Sequence, residues 1–389
     1  MKKIGVVTST RAEYGLLRLS LKKIMEDPDL ELCLIVTGSH LLRDQGHTID
    51  EIISDGIPVS DRVEMFGNRD EGEDDADYLA SSMGRALAGF SSCYRRHGID
   101  MLVVLGDRYE LIPICYPAML LNIPIAHISG GEVTEGAIDD TVRHCITKMS
   151  YLHFPGCEAY RKRVIQLGEE PERVFNFGDP GIENIKKTDF LSKEELYGYL
   201  GIEKDKRIAC VTFHPVTHEK DTAGKQTKAL ISALSAFRDI EFVITMSNMD
   251  SGGDEINRLF REASEKYSNL RMYASLGSLR YLSALKYSEA VIGNSSSGIV
   301  EAPSLGIPTV NIGDRQKGRL RAASIIDCEA EEAEIENAIK KALSDDFKKV
   351  LSESVNPYES GEFSSRFVGT IKDFLINDRI DPKKKFYDL

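Results

Sequence analysis

A serine-rich stretch in the last third of the chain has residue types that bind a phosphate and a ribose. Ser295, Ser296 and Ser297 supply hydroxyls and backbone N–H groups, and a helix that begins there would direct its unpaired N–H groups at an anion. Glu301 follows Ser297 by four residues and would share its helix face. A carboxylate in that place could accept both hydrogen bonds of a ribose diol. The alternative is a serine-capped helix with an exposed Glu301.

Charged side chains also follow apolar runs in the first half of the chain. Asp107 comes just after the run Met101–Leu105, so we predict a carboxylate with an altered pKa at the end of a buried strand. A turn aspartate that caps the next helix is the alternative. Asp139 and Arg143 lie four residues apart on a predicted helix, where an ordinary ion pair is equally possible. Arg11 is the only cation at its strand end, and pyrophosphate is its natural partner.

The second half places polar groups after its own predicted strands. His214 stands between a strand and a proline, where a structural role is as reasonable as a catalytic one. Asn248 and Arg315 follow two further apolar runs. Ligands of doubly wound α/β domains bind beyond the carboxyl ends of the strands. We therefore expect a nucleotide in the second half and a reacting sugar held against the first.

These residues lie on two successive series of alternating strands and helices. Continuous apolar runs such as Met101–Leu105 are typical of parallel strands that are buried on both faces. We therefore predict an α/β protein with two Rossmann-like doubly wound domains, residues 1–180 and 181–362, and a binding cleft between them. The closing helix, residues 363–376, could pack back on the first domain.

Composition is that of a soluble globular protein. The net charge of −13 argues against nucleic acid and anionic membranes as partners. No secretory signal follows the initial Met-Lys-Lys, and the seven cysteines form no C-x-x-C motif, so reduced thiols and a cytoplasmic location are expected. H-E-x-x-H, G-x-G-x-x-G and a nucleophile elbow are all absent from the sequence. We accordingly expect no metal and no cofactor.

Seven short motifs stand in order between residues 10 and 318: Thr10-Arg-Ala-Glu-Tyr14, Leu105-Gly-Asp-Arg108, His127-Ile-Ser-Gly-Gly-Glu132, Ile138-Asp-Asp-Thr-Val-Arg-His144, His214-Pro-Val-Thr217, Gly293-Asn-Ser-Ser-Ser-Gly298 and Gly313-Asp-Arg-Gln-Lys-Gly318. Together they resemble the hydrolysing UDP-N-acetylglucosamine 2-epimerases, enzymes of bacterial sialic and legionaminic acid synthesis. The resemblance implies the GT-B fold and a homodimer or homotetramer.

The resemblance also implies a reaction and a role for individual residues. UDP would leave by anti elimination to a 2-acetamidoglucal, and water would then add to give a free manno-configured sugar, N-acetylmannosamine from UDP-N-acetylglucosamine. Asp107 and Asp139 would be catalytic carboxylates, with Arg143 orienting the second. UDP would be bound by Arg11, Arg108, His214, Ser295, Ser296, Glu301 and Arg315, to which the strand-end positions add Ser297 and Asn248.

One position departs from the family's pattern. Ser129 stands where many relatives have a catalytic Glu, and Glu132 is the nearest replacement. Some relatives with a small residue there act on UDP-2,4-diacetamido-2,4,6-trideoxy-glucose, so that substrate stays open beside UDP-N-acetylglucosamine. The same residues are also compatible with a non-hydrolysing epimerase, a GT-B glycosyltransferase or a nucleotide-sugar sensor without turnover.

Overall fold

The computed structural model describes residues 1–43, 47–69, 74–135, 138–216, 222–247, 252–359 and 361–389. The chain forms two compact units, which we call the N-terminal and the C-terminal unit. The N-terminal unit comprises Met1–Glu132, Ile138–Asn184 and Ser360–Leu389, and the C-terminal unit comprises Val133–Ala137 and Ile185–Glu359. Each unit therefore contains a segment that is separate from the rest of it along the chain.

The N-terminal unit is built on a six-stranded parallel sheet with strand order β3-β2-β1-β4-β5-β6. Its strands are β1 (Lys2–Thr8), β2 (Leu30–Thr37), β3 (Val59–Val63), β4 (Met101–Leu105), β5 (Ile125–Ile128) and β6 (Leu152–Phe154). Its helices are α1 (Arg11–Glu26), α2 (Ile49–Ser54), α3 (Asp75–His97), α4 (Leu111–Leu120), α5 (Ile138–Met149), α6 (Glu158–Gln166) and α7 (Pro180–Lys187), the last of which crosses into the C-terminal unit.

Alternate residues of each central strand face opposite sides of this sheet, and both sides are covered. Val103 belongs to the cluster on one face, with the side chains of α1, and Val104 belongs to the cluster on the other, with those of α3 and α4. Burial on both faces explains why β4 is apolar throughout. The last helix of the chain, Phe363–Ile376, completes the first face by inserting Phe367 beside Phe154, with ring centroids 4.7 Å apart.

The C-terminal unit has a second six-stranded parallel sheet with order β12-β11-β10-β7-β8-β9. Its strands are β7 (Arg207–Thr212), β8 (Ile240–Thr245), β9 (Leu270–Tyr273), β10 (Ser288–Gly293), β11 (Thr309–Ile312) and β12 (Ile325–Cys328). Its helices are α8 (Lys193–Leu200), α9 (Ala223–Ser235), α10 (Gly253–Lys266), α11 (Gly277–Tyr287), α12 (Ser296–Val300), α13 (Glu332–Ala342) and α14 (Asp345–Glu353), and the helix Phe363–Ile376 of the N-terminal unit is α15.

The two sheets confirm the predicted α/β class with two doubly wound parallel sheets. Strands β3 and β12 and helices α4 and α14 were not predicted from the sequence. Beyond β6, Val174 forms an isolated parallel bridge to His153. Across the described residues, every helix is too short or too polar to cross a bilayer.

Candidate active site

The carboxyl end of β4 carries the first candidate carboxylate. Leu105 ends the strand, Gly106 turns the chain with a φ of +92°, and Asp107 follows. Asp107 Oδ2 accepts hydrogen bonds from Arg143 Nε, at 3.1 Å, and from Arg143 Nη2. His127 Nε2 lies 2.8 Å from the carbonyl oxygen of Gly106. The backbone and the side chain of this turn are therefore both fixed.

Arg143, on α5, organises the carboxylates of the N-terminal unit. Its side chain is fully buried, and Nη1 donates to Asp140 Oδ1 and to the carbonyl oxygen of Glu132, each at 3.0 Å. Two donors on one guanidinium make a directional pair with Asp107, which restricts that carboxylate more than a single contact would. The expected role of Arg143 in orienting Asp139 remains a prediction, while its contacts to Asp107 and Asp140 are new.

The other two carboxylates of the predicted set are those of Asp139 and Glu132. Asp139 lies in the first turn of α5 and is partly buried, and Glu132 is almost fully buried with its carbonyl oxygen on Arg143. Burial lowers the pKa of His127 to about 4, so this imidazole is neutral near pH 7 and donates from Nε2 to Gly106. Ser129 adopts a φ of +65°, which is rare outside glycine.

The first strand of the sheet brings a second charged group to the same edge. Arg11 begins α1 directly after β1, as predicted. Glu13 accepts hydrogen bonds from the backbone N–H of Ser9, at 2.7 Å, and from its hydroxyl. Burial raises the pKa of Glu13 to about 7. Arg108 Nε is 3.2 Å from both carboxylate oxygens of Glu110, a contact that no motif of the sequence predicted.

Asn294 joins three elements at the carboxyl ends of the C-terminal sheet. Its side chain accepts from the backbone N–H of His214, at 2.7 Å, and donates to the His214 carbonyl oxygen, at 2.8 Å. Its own carbonyl oxygen accepts from Arg315 Nη1, at 3.1 Å, and from Gln316 Nε2, at 2.9 Å. Gly293 precedes it with a φ of +131°, and a Cβ there would collide with the backbone of Thr212. Glycine is thus required for the approach that brings His214 to Asn294.

The serine stretch forms a short helix with a carboxylate on its face. Ser295 caps α12 by accepting from the N–H of Ser297, at 3.4 Å. The Ser297 hydroxyl donates to Glu301, which is partly buried and whose pKa is raised by that burial. The exposed Glu301 of the alternative interpretation is therefore wrong. Helix α12 ends at Val300, and a single 3₁₀ turn, Ala302–Leu305, carries Pro303, which cannot continue an α-helix without strain.

His214 has a second contact, because its Nδ1 lies 3.2 Å from the Ser247 hydroxyl. Ser247 is held in turn by Asn257, whose Oδ1 accepts from the Ser247 N–H at 2.8 Å. Tyr281 on α11 interacts with Ser297 and Glu301, and the sequence offered no signal for it because it lies on a helix and not at a strand end. Asn248 lies outside the described residues.

Both units thus gather polar side chains at the carboxyl ends of a doubly wound parallel sheet, which is the arrangement of the GT-B fold. Residues 22–372 match the family described as UDP-N-acetylglucosamine 2-epimerase. The chain belongs to this family, which confirms the resemblance seen in its motifs.

Three relatives cover most or all of the chain. It is 41% identical to a GDP/UDP-N,N'-diacetylbacillosamine 2-epimerase (hydrolyzing) of Campylobacter jejuni, over 90% of this chain and 89% of the relative. It is 40% identical to polysialic acid biosynthesis protein P7 of Escherichia coli, over 100% and 98%. A UDP-N,N'-diacetylbacillosamine 2-epimerase (hydrolyzing) of Legionella pneumophila is 32% identical over the full length of both chains.

The fold agrees with a solved structure of the family. The crystal structure of UDP-GlcNAc 2-epimerase from Neisseria meningitidis bound to UDP-GlcNAc superposes with a TM-score of 0.81 at 16% identity, and covers 96% of this chain and 100% of that one. At this identity the similarity establishes the fold.

Proposed function

We propose that this chain is a hydrolysing 2-epimerase that converts a UDP-linked 2-acetamido sugar and water into UDP and a free manno-configured sugar. The reaction is an anti elimination of UDP to a 2-acetamidoglucal, followed by addition of water. The observation that carries the proposal is the Asp107 carboxylate, held by the buried Arg143 at the end of β4 in a chain that is 41% identical to a hydrolysing relative.

The chemistry explains why both carboxylates and cations are needed. No carbonyl acidifies the proton on sugar carbon 2, so departure of UDP has to run ahead of proton removal. Arg11, Arg108 and Arg315 would stabilise the departing pyrophosphate, together with His214 and the serines of α12. Asp107 would then act on the proton at carbon 2, and Asp139 or Glu132 would donate the proton that hydration requires.

The carboxylate of Glu301 would bind the ribose diol. Its raised pKa comes from burial, and the Ser297 hydroxyl supplies one hydrogen bond in its present environment. A ribose diol donates two hydrogen bonds, which is the kind of contact that a partly buried carboxylate needs. Asn294 would support this site indirectly, since it joins Arg315 to His214, which follows β7.

For the sugar we propose 2,4-diacetamido-2,4,6-trideoxy-glucose as the first candidate. The Campylobacter and Legionella relatives are both named for N,N'-diacetylbacillosamine. Ser129 at the end of β5 is smaller than the Glu of many relatives, which would leave space for a second acetamido group. N-acetylglucosamine is the second candidate, because the chain is 40% identical over its full length to a polysialic acid biosynthesis protein.

Product analysis with both UDP-sugars in heavy water tests this proposal. We expect free sugar and UDP without any acceptor, one deuterium at carbon 2, and a higher kcat/KM for the diacetamido substrate. A UDP-linked product would indicate a non-hydrolysing epimerase, and strict dependence on an acceptor would indicate a glycosyltransferase. Binding of both UDP-sugars without turnover would indicate a sensor.

A homodimer or homotetramer remains a prediction that the native mass in solution would test.

A further inference from the structure

Three side chains that are distant in sequence meet on the outer part of the N-terminal unit. Asp61 lies on the edge strand β3, and Cys93 and His97 lie one turn apart near the end of α3. Asp61 Oδ2 is 3.4 Å from Cys93 Sγ and 2.7 Å from His97 Nε2. Among the described residues, these form the one group of three or more His, Cys, Asp or Glu side chains whose ligand atoms all lie within 4.8 Å of one another.

The separations are close to those of a tetrahedral zinc site. Zinc binds sulfur at about 2.3 Å and nitrogen or carboxylate oxygen at about 2.0–2.2 Å, so neighbouring ligand atoms lie roughly 3.3–3.8 Å apart. The oxygen–sulfur separation already falls in that range, and the oxygen–nitrogen separation requires widening by about 0.6 Å. The spacing of Cys93 and His97 by four residues puts both on one face of α3.

The carboxylate is also oriented before any ion arrives. The second oxygen of Asp61, Oδ1, accepts from the backbone N–H of Arg62 at 2.8 Å, which leaves Oδ2 for the cluster. Cys93 is fully buried, whereas the side chains of Asp61 and His97 are about one-fifth exposed, at 19% and 22%. The cluster therefore has an apolar side at the sulfur and an opening towards solvent.

We propose that Asp61, Cys93 and His97 bind a zinc ion, with water as the fourth ligand. Binding removes the proton from the Cys93 thiol, which passes to solvent, while the neutral His97 ring supplies the Nε2 lone pair and keeps its proton on Nδ1. The two negative ligands balance the charge of the ion. A zinc ion here would tie the edge strand β3 to α3.

This site is separate from the candidate active site. Asp100, just beyond α3, accepts from the backbone N–H of Lys3 at 2.7 Å, at the start of β1. The last turn of α3 therefore lies towards the amino ends of the strands, whereas Asp107 lies at the carboxyl end of β4. The ion would stabilise the N-terminal unit and would take no part in the chemistry on the sugar.

One cation already occupies the solvent side of the cluster. Arg96 Nη2 donates to the same Asp61 oxygen, and its side chain is 58% exposed. An exposed ion pair of this kind contributes little to stability, so the guanidinium can turn into solvent when an ion binds. Arg96 therefore competes with zinc for Asp61, and its removal should strengthen zinc binding.

The test is zinc binding to the purified full chain, measured by competition with a chromophoric chelator and by metal content after dialysis. Wild type is compared with Cys93→Ser, His97→Gln and Arg96→Gln. Cys145→Ser is the matched control. Cys145 is exposed and follows His144, whose Nε2 lies 3.6 Å from Asp140, so this cysteine is also next to a histidine that contacts an aspartate but is not part of the proposed site. Cobalt in place of zinc gives a thiolate charge-transfer absorption that reports sulfur coordination directly.

We expect about one zinc per chain in wild type and in Cys145→Ser, together with a higher thermal unfolding midpoint when zinc is added. Cys93→Ser and His97→Gln should each weaken zinc binding by more than about tenfold, and Cys93→Ser should lose the cobalt–thiolate absorption. Arg96→Gln should bind zinc more tightly than wild type.

Three results would overturn the proposal. The first is wild-type protein that holds no zinc at one equivalent. The second is zinc binding that survives both ligand substitutions or disappears in Cys145→Ser. The third is an Arg96→Gln protein that binds zinc no more tightly than wild type. Because His97→Gln changes a partly exposed side chain, it keeps the test decisive if the buried Cys93→Ser substitution prevents folding.

Discussion

At the scale of single residues, Arg143 shows how a buried charge can position a reactive one. Its guanidinium is fully buried, yet its partners Asp107 and Asp140 keep 22% and 30% of their side chains exposed. The cation is thus inaccessible while the carboxylates can meet a ligand. Breaking one partner of such a cluster costs more than the pair itself contributes, because the remaining charge is left buried.

We predict that Asp107→Asn and Asp139→Asn each lower kcat by about 10²–10⁴-fold, the usual contribution of a general acid or base. UDP should still bind, since the residues proposed to bind UDP are other ones. Steady-state kinetics and UDP titration calorimetry are the measurements. Asp140→Asn is the matched control for Asp107→Asn, since it also removes a carboxylate from Arg143. Equal loss of turnover in Asp140→Asn would mean that Asp107 acts only through Arg143.

We predict that Arg315→Ala weakens UDP binding by roughly 10–100-fold, the range expected for a hydrogen bond to a charged group, with a smaller effect on kcat. Gln316→Ala is the control, because Gln316 donates to the same Asn294 carbonyl oxygen without carrying charge. Calorimetry with UDP separates the two variants. An equal loss in both would assign the effect of Arg315 to the support of Asn294 and not to the pyrophosphate.

The residue scale also shows what a sequence can and cannot reveal. Asp107 was predicted because it follows the run Met101–Leu105, which is typical of a strand that is buried on both faces. The contact of Arg143 with Asp107 was not predicted, because it joins residues 36 positions apart on different elements. The proposed zinc ligands were not predicted from the sequence for the same reason, since Asp61 is 32 residues before Cys93 and no short motif contains both.

At the scale of elements, the start of α1 links local structure to pH. Thr10 and Glu13 form a capping box. Glu13 is buried, and its pKa is raised from an ordinary value of 4.5 to about 7. The folded chain therefore keeps a proton that the unfolded chain has lost between those two values, so the stability contributed by this site falls as the pH rises through that window.

We predict that Glu13→Gln removes this pH dependence. Between about pH 4.5 and 7, wild type should lose roughly 3 kcal/mol of unfolding free energy relative to Glu13→Gln. Urea unfolding at a series of pH values measures it. Glu195→Gln is the control, since Glu195 occupies the same position in the α8 capping box but is exposed, and its hydrogen bonds with Ser192 lower its pKa. If the difference in unfolding free energy between Glu13→Gln and wild type stayed constant with pH, the raised pKa would be contradicted.

Physical reasons explain why some helices and strands were not predicted from the sequence. Helix α4 contains Pro117 and was not predicted because proline disfavours a helix interior, but this helix is largely buried and its packing outweighs the lost hydrogen bond. Strand β3 reads Val-Ser-Asp-Arg-Val because it is an edge strand with polar residues, including Asp61. The apolar β4, central in its sheet, was predicted because burial on both faces leaves a continuous apolar run.

At the scale of the whole molecule, the chain order and the spatial units differ. Helix α15 follows the entire C-terminal unit yet belongs to the N-terminal unit, where Glu183 accepts from the Ser364 N–H at 2.6 Å and from its hydroxyl at 2.9 Å. Phe363, Phe367 and Ile371 are buried in the same core as β1 and β4. The N-terminal core is therefore incomplete without the last segment of the chain.

We predict that residues 185–359 fold alone, whereas residues 1–184 do not. Residues 185–359 have their own sheet and apolar clusters. Residues 1–184 lack α15 and would expose the face of the sheet that Phe367 covers. Cooperative urea unfolding monitored by circular dichroism measures both. A peptide of residues 361–389 added to fragment 1–184 should restore cooperative unfolding, and a Phe367→Ala peptide should do so poorly. Cooperative unfolding of 1–184 without any peptide would contradict this view.

The return of α15 has a consequence for biosynthesis. The whole C-terminal unit is translated before α15, so its residues are made while one face of the N-terminal sheet is still uncovered. The unit that is translated first must wait for the final helix to clear the exit tunnel. Until α15 has been made, the older part of the nascent polypeptide still shows an uncovered apolar face to chaperones.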